Sequence, residues 1–287
     1  MHGQPQPSNS DYAYCGEVLR RGDRDRWLAS LFIPQALRPH IHALYAFSLE
    51  IARVREIVSE PLLGEIRFQW WRDALGGKNE TGFAASPAAA ALIDTLARFR
   101  LPREPLIELI DARLRDLYNE AVESVQALES YAQATCSTLF RLAALVLEGE
   151  ETSADAAVAV HAGIAYGITG LLRALPWHSA RSQVFVPAEF LRAHGAEPDD
   201  LVSGRASPAV CAALADMRGL ARTHLKAFEA QLRGLPQNRR AAFLAVSLCE
   251  PYLRLMERPD YDPFKTVIEL PQWRRQWILW RASRRWG

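Results

Sequence analysis

The sequence predicts an all-α protein folded as a single domain. Apolar residues recur near a 3.6-residue period, as in Leu106, Leu109/Ile110, Leu114, Leu117/Tyr118 and Val122. The one β-rich stretch, QVFVP at 183–187, is isolated, so no strand–helix alternation builds a sheet. No Gly/Ser linker or compositional break divides the 287 residues, and a 49% apolar composition supports a sizeable core.

The elements follow in order. Residues 1–10 are polar and proline-containing and are expected to form a disordered tail, with the folded domain over 11–287. Asp11 can cap a first helix running through Arg21, and Asp23 or Asp25 a second ending near Phe32. Pro34 suits the first position of a third helix, to about Val58, and Pro61 starts a fourth, to about Leu75. A loop, GGKNETGFAASP, follows. Helices are then expected over 88–99, 102–122, 130–147 and 153–174, the last meeting Pro176. After QVFVP come a short helix over 187–193, a loop through Gly204 and a long helix over 208–232. One or two helices over 238–256 are interrupted at Pro251, and the loop RPDYDPFK leads to a last helix from Gln272.

A formal net charge of +1 gives no field that would draw in a nucleic-acid backbone, so nucleic acid is not an expected partner. Cys15, Cys136, Cys211 and Cys249 lie far apart with no metal-ligand spacing, which reads as reduced thiols in a reducing compartment. The first twenty residues lack an apolar signal-peptide core, and no run of 18 apolar residues occurs. The expected location is cytoplasmic, at most peripheral on the inner membrane.

The words LFIP (31–34), Arg38 with ALYAF (43–47) and WWR (70–72) form one group. Gly163, LLR (171–173) and VFVP (184–187) form another. In order and spacing they resemble the two signatures of the squalene/phytoene synthase family, and the resemblance covers roughly residues 12–260. It implies an isoprenoid-synthase-like helical fold with a central cavity. It also implies Mg²⁺-dependent condensation of two allylic diphosphates. In such enzymes two helices each present an Asp-x-x-x-Asp pair, whose i,i+4 spacing puts both carboxylates on one face to hold magnesium.

Here those positions align with Ala52 and Glu56, and with Ala174 and His178, so three of the four metal carboxylates are missing. The Gln and Asn usual before the second pair align with Gly167 and Gly170. A methyl group cannot ligate Mg²⁺ and a neutral imidazole is a poor ligand for it. Glu56 and Glu60 are also i,i+4, but Pro61 breaks the helix, and both read as surface acids beside Arg53 and Arg55.

The motifs that remain resemble a non-catalytic branch of the family, which includes a mitochondrial respiratory complex I assembly factor and bacterial relatives. Val58-Ser59-Glu60, Gly64, Arg67, Gln69-Trp70 and Leu172 to His178 carry this match. Two readings follow. The first is a factor without catalysis or cofactor, acting in complex I assembly or binding a lipid or isoprenoid, with a complex I subunit or assembly protein as partner. The alternative is an active Mg²⁺-dependent transferase acting on farnesyl or geranylgeranyl diphosphate.

Arg38, Tyr45 and Arg173 are candidate cavity or anion-binding residues. Arg173 could hold an anionic group or pair with a core acid such as Asp116 or Glu56. His178 could line the cavity or make one hydrogen bond at a helix end. Gly163, Gly167 and Gly170 suit close helix packing. In the C-terminal stretch from 270 on, Leu270, Trp273, Trp277 and Trp280, with Ile278 and Leu279 as further candidates, share a side flanked by Arg274, Arg275, Arg281, Arg284 and Arg285. That pattern suits either a membrane or partner surface or a face docked on the core.

Overall fold

The computed structural model describes residues 8–77, 86–148 and 153–286, and among them every regular element is helical. The helices are α1 (Asn9–Gly22), α2 (Arg24–Ser30), α3 (Arg38–Ile57), α4 (Pro61–Leu75), α5 (Pro87–Arg98) and α6 (Glu104–Leu117). Then come α7 (Val125–Ala132) and α8 (Thr138–Glu148), joined without a break by a π-helical turn (Gln133–Ser137). After them come α9 (Ser153–Arg173), α10 (Leu175–Ala180), α11 (Ala188–Ala193), α12 (Pro198–Val202), α13 (Pro208–Leu232) and α14 (Gln237–Arg240). A 3₁₀ segment (Ala241–Leu248), α15 (Cys249–Leu255) and α16 (Gln272–Trp286) complete the chain.

Local chemistry sets most of these boundaries. Asp23 caps α2 by accepting the Arg26 backbone N–H at 3.0 Å. Asp11 lies at the third position of α1 and accepts the Ser8 N–H at 2.8 Å, so α1 begins at Asn9. Helix therefore replaces the expected tail at residues 9 and 10, while residues 1–7 lie outside the described residues. The expected loop after α4 falls mostly outside them too. Helix α3 starts at Arg38, not Pro34, because Pro39 fits only the first turn; residues 34–37 form a turn instead. Helix α6 stops at Leu117, short of the expected Val122, and Asn119 then adopts a left-handed φ of 52°. QVFVP forms no strand; its Val184 carbonyl accepts the Val122 N–H at 3.4 Å, and the Val122 carbonyl accepts the Ala188 N–H at 2.8 Å.

Helix α9 is the axis of the fold. It packs most extensively on α13 and also on α7, the π turn, α8 and α15. Its Gly163 meets the π turn so closely that a Cβ would lie 2.2 Å from the Ser137 nitrogen. The Asp155–Arg173 window of α9 is the one described stretch long and apolar enough to cross a membrane, and 61% of it is buried inside the protein. The four cysteines are free thiols, with Cys15 and Cys249 buried.

Candidate functional site

Ala52 on α3, Ala174 at the end of α9 and His178 on α10 line one cavity of about 240 Å³. The topology thus gathers three of the four metal positions, although they come from two distant segments. Glu56 does not join them. It is exposed and accepts from Arg181 at 3.0 Å, so it is the surface acid expected, with a different arginine as partner. Gly167 is packed against Ala132, whose Cβ would lie 3.0 Å from an added methyl. Gly170 has no atom within 4 Å of that position and opens onto the cavity, so close packing explains Gly163 and Gly167 but not Gly170.

The donor set does not fit magnesium. Hard Mg²⁺ takes oxygen ligands in near-octahedral geometry. At the aligned positions the cavity offers methyl groups at 52 and 174 and an imidazole at 178, and the one carboxylate of its described lining, Asp23, is engaged in capping α2. Burial, and then the nearby charges of Arg113 and Arg181, lower the His178 pKa to about 4, so the ring is neutral at pH 7. It packs on Phe185 with centroids 4.6 Å apart, and its buried Nδ1 has no hydrogen-bond partner.

Cations line the same space. Arg113 donates to Asp116 at 3.1 Å and to the Tyr131 hydroxyl at 2.7 Å, and Tyr131 donates to Asp116 at 2.8 Å. Arg26 lies between the Tyr45 and Tyr166 rings, 4.8 and 4.7 Å from their centroids. Tyr45 is therefore a platform under Arg26, not part of the cavity lining. Neither Arg26 nor Arg113 was legible as a site residue; each needed the packing of α2 or α6 against the cavity.

A second chamber, of about 500 Å³, shares Gly22, Asp23, Tyr166 and Gly170 with the first. Its centre is Asp25, only 4% exposed. Asp25 accepts from Arg173 at 3.0 Å and from the Tyr252 hydroxyl at 2.7 Å, and Arg275 Nε lies 3.1 Å away. Arg275 also donates to the Tyr252 oxygen at 3.0 Å, and the Arg173 guanidinium stacks 3.8 Å from the Tyr252 ring centroid. Arg173 does pair with a core acid, but the acid is Asp25 instead of Asp116 or Glu56.

Two other expectations change. Arg38 lines neither chamber; it donates to the carbonyls of Ser30, Leu31 and Ile33 and closes the end of α2. Arg275 is not on the outer surface. It is 5% exposed and lies with Leu279, Ala282 and Trp286 on the face of α16 that docks on the core. Trp273, Trp277 and Trp280 face outward at 69, 55 and 49% exposure, and Trp277 stacks on Trp280 with centroids 5.1 Å apart. Arg274, Arg281, Arg284 and Arg285 are exposed around them. Leu279 was placed on the tryptophan side, and it lies opposite.

This arrangement of helices around a central cavity is the isoprenoid-synthase fold. A dehydrosqualene synthase of known structure superposes with a TM-score of 0.83 over 96% of each chain, at 17% identity. Residues 19–281 match the squalene/phytoene synthase family, and the chain belongs to it. Complex I assembly factor 6 of Rattus norvegicus is 34% identical over 258 residues, covering 90% of this chain and 77% of its own. The 15-cis-phytoene synthase of Synechococcus elongatus is 25% identical over 279 residues, covering 92% and 89%.

Proposed function

We propose that this chain is a non-catalytic member of the family that serves the assembly of respiratory complex I while resting on the inner-membrane surface. The observation that carries the reading is its relation to complex I assembly factor 6, at 34% identity against 25% for the phytoene synthase. The cavity supports it: three of the four positions where a synthase holds magnesium carry two methyl groups and a neutral imidazole, and the fourth, Glu56, lies outside the cavity. Without the metal the Lewis acid that would draw diphosphate away is gone.

The outer face of α16 supports contact with an anionic bilayer. Three exposed tryptophans are flanked by Arg274, Arg281 and Arg284, and the helix contains no acidic residue. The test is deletion of the gene in its host, followed by native-gel and NADH-oxidation assays of complex I. Assembled complex I falls and returns on complementation. Unchanged complex I in the deletion strain overturns the proposal.

A further inference from the structure

We propose that the cavity beside Ala52, Ala174 and His178 binds an oxyanion directly on Arg26 and Arg113, with no bridging cation. This deepens the non-catalytic reading and rests on it for the absence of a metal. The starting point is a set of unsatisfied groups. Arg26 is 6% exposed, and its Nε and Nη2 have no hydrogen-bond partner. Its Nη1 lies 3.6 Å from Asp23, beyond ordinary hydrogen-bond length. The other Asp23 oxygen is committed to capping α2. Arg113 Nε and His178 Nδ1 also lack partners. All three residues line the same cavity.

Buried charged donors without acceptors are costly, and they are rare in folded proteins. A bound oxyanion would supply acceptors to both guanidiniums, and to His178 in its Nδ1–H tautomer. The acids that oppose such a ligand are few. Asp23 is the only carboxylate among the described residues of the lining, and Asp116 sits behind Arg113, where burial raises its pKa against the pull of Arg113 and Tyr131. The carboxylates that would repel an oxyanion have been replaced by Ala52, Ala174 and His178. The missing carboxylates and the two arginines in the lining thus act together: a cation site becomes an anion site.

The size of the cavity narrows the ligand. About 240 Å³ is below the usual volume of roughly 300–1,000 Å³ for small-molecule sites. The space suits a head-sized group, a phosphate, diphosphate or short carboxylate. Leu49 and Leu171 add an apolar wall that would accept a few carbons attached to it.

The test uses the full-length protein in EDTA, with inorganic phosphate, inorganic diphosphate and acetate as probes, read by calorimetry and thermal shift. At least one probe binds saturably at one site per chain, and Mg²⁺ changes the affinity less than twofold. The probe that binds assigns the head as phosphate or carboxylate. Arg26→Met weakens binding at least tenfold, and Met is suited to fill the gap between the two tyrosine rings. His178→Asp, which returns a carboxylate to the cavity and leaves both arginines, also weakens it at least tenfold. Glu56→Gln, outside the cavity, leaves it unchanged. No saturable binding of any probe, or equal binding by wild type, Arg26→Met and His178→Asp, overturns the proposal. Binding that requires Mg²⁺ overturns it as well; if prenyl-diphosphate turnover accompanies that binding, the non-catalytic reading falls too. Absent binding with absent turnover removes the oxyanion site alone.

Discussion

His178, in the cavity beside Ala52 and Ala174, carries a measurable pH dependence. Its folded pKa is lowered from 6.5 to about 4 by burial and by the charges of Arg113 and Arg181. The unfolded chain therefore takes up the proton first as pH falls. The stability contributed by the neutral ring is complete above pH 6.5, erodes as pH drops, and is gone below about 4. The loss by pH 5 is about 2 kcal/mol. Denaturant melts at pH 7.5 and 5.0 check this: His178→Gln narrows the gap between the two pH values, and an unchanged gap contradicts the assignment. Two glycines make a paired prediction. Gly163→Ala puts a methyl 2.2 Å from the Ser137 backbone and costs about 1–3 kcal/mol in chemical denaturation. Gly170→Ala meets open space and is neutral or stabilises by up to about 1 kcal/mol. The three glycines look alike in sequence; only the path of the π turn separates them.

At the scale of elements, α16 is held by a buried charge cluster. Asp25 joins α2 to Arg173 on α9, Tyr252 on α15 and Arg275 on α16. Removing the carboxylate leaves the buried Arg275 and the partly buried Arg173 without their shared acid. Asp25→Ala therefore costs about 3–5 kcal/mol. Limited proteolysis checks it: cleavage within 257–286 accelerates, whereas Glu56→Ala, which breaks an exposed pair, leaves it unchanged. The outward tryptophans behave differently. Trp273→Ser, Trp277→Ser and Trp280→Ser together leave the melting midpoint nearly unchanged and reduce flotation with anionic liposomes. Equal flotation removes this face from the account.

The orientation of α16 shows where sequence reasoning stops. Both of its faces carry apolar residues, and arginine flanks both, so periodicity alone does not say which face is buried. The deciding residue is Asp25, and its partner Tyr252 lies 227 positions away. Helix termini were more legible: Pro61 and Pro208 start helices where proline chemistry places them, and Pro39 explains the later start of α3.

For the whole molecule, the fold was readable because the family signatures sit on the helices that line the cavity. That three of the four aligned metal positions carry no carboxylate was readable directly, because a methyl group has no ligand chemistry in any packing. What the sequence hid were the cations, since Arg26 and Arg113 lie outside both signatures and become site residues only through tertiary packing. The central claim is that the synthase scaffold persists here without its metal reaction. The most direct measurement is incubation of the purified full-length chain with Mg²⁺ and labelled farnesyl or geranylgeranyl diphosphate, with mass-spectrometric detection of products. A non-catalytic chain leaves the substrate intact and yields no squalene- or phytoene-like hydrocarbon, whereas Mg²⁺-dependent product at the rate of a synthase assayed in parallel would show that the reaction persists.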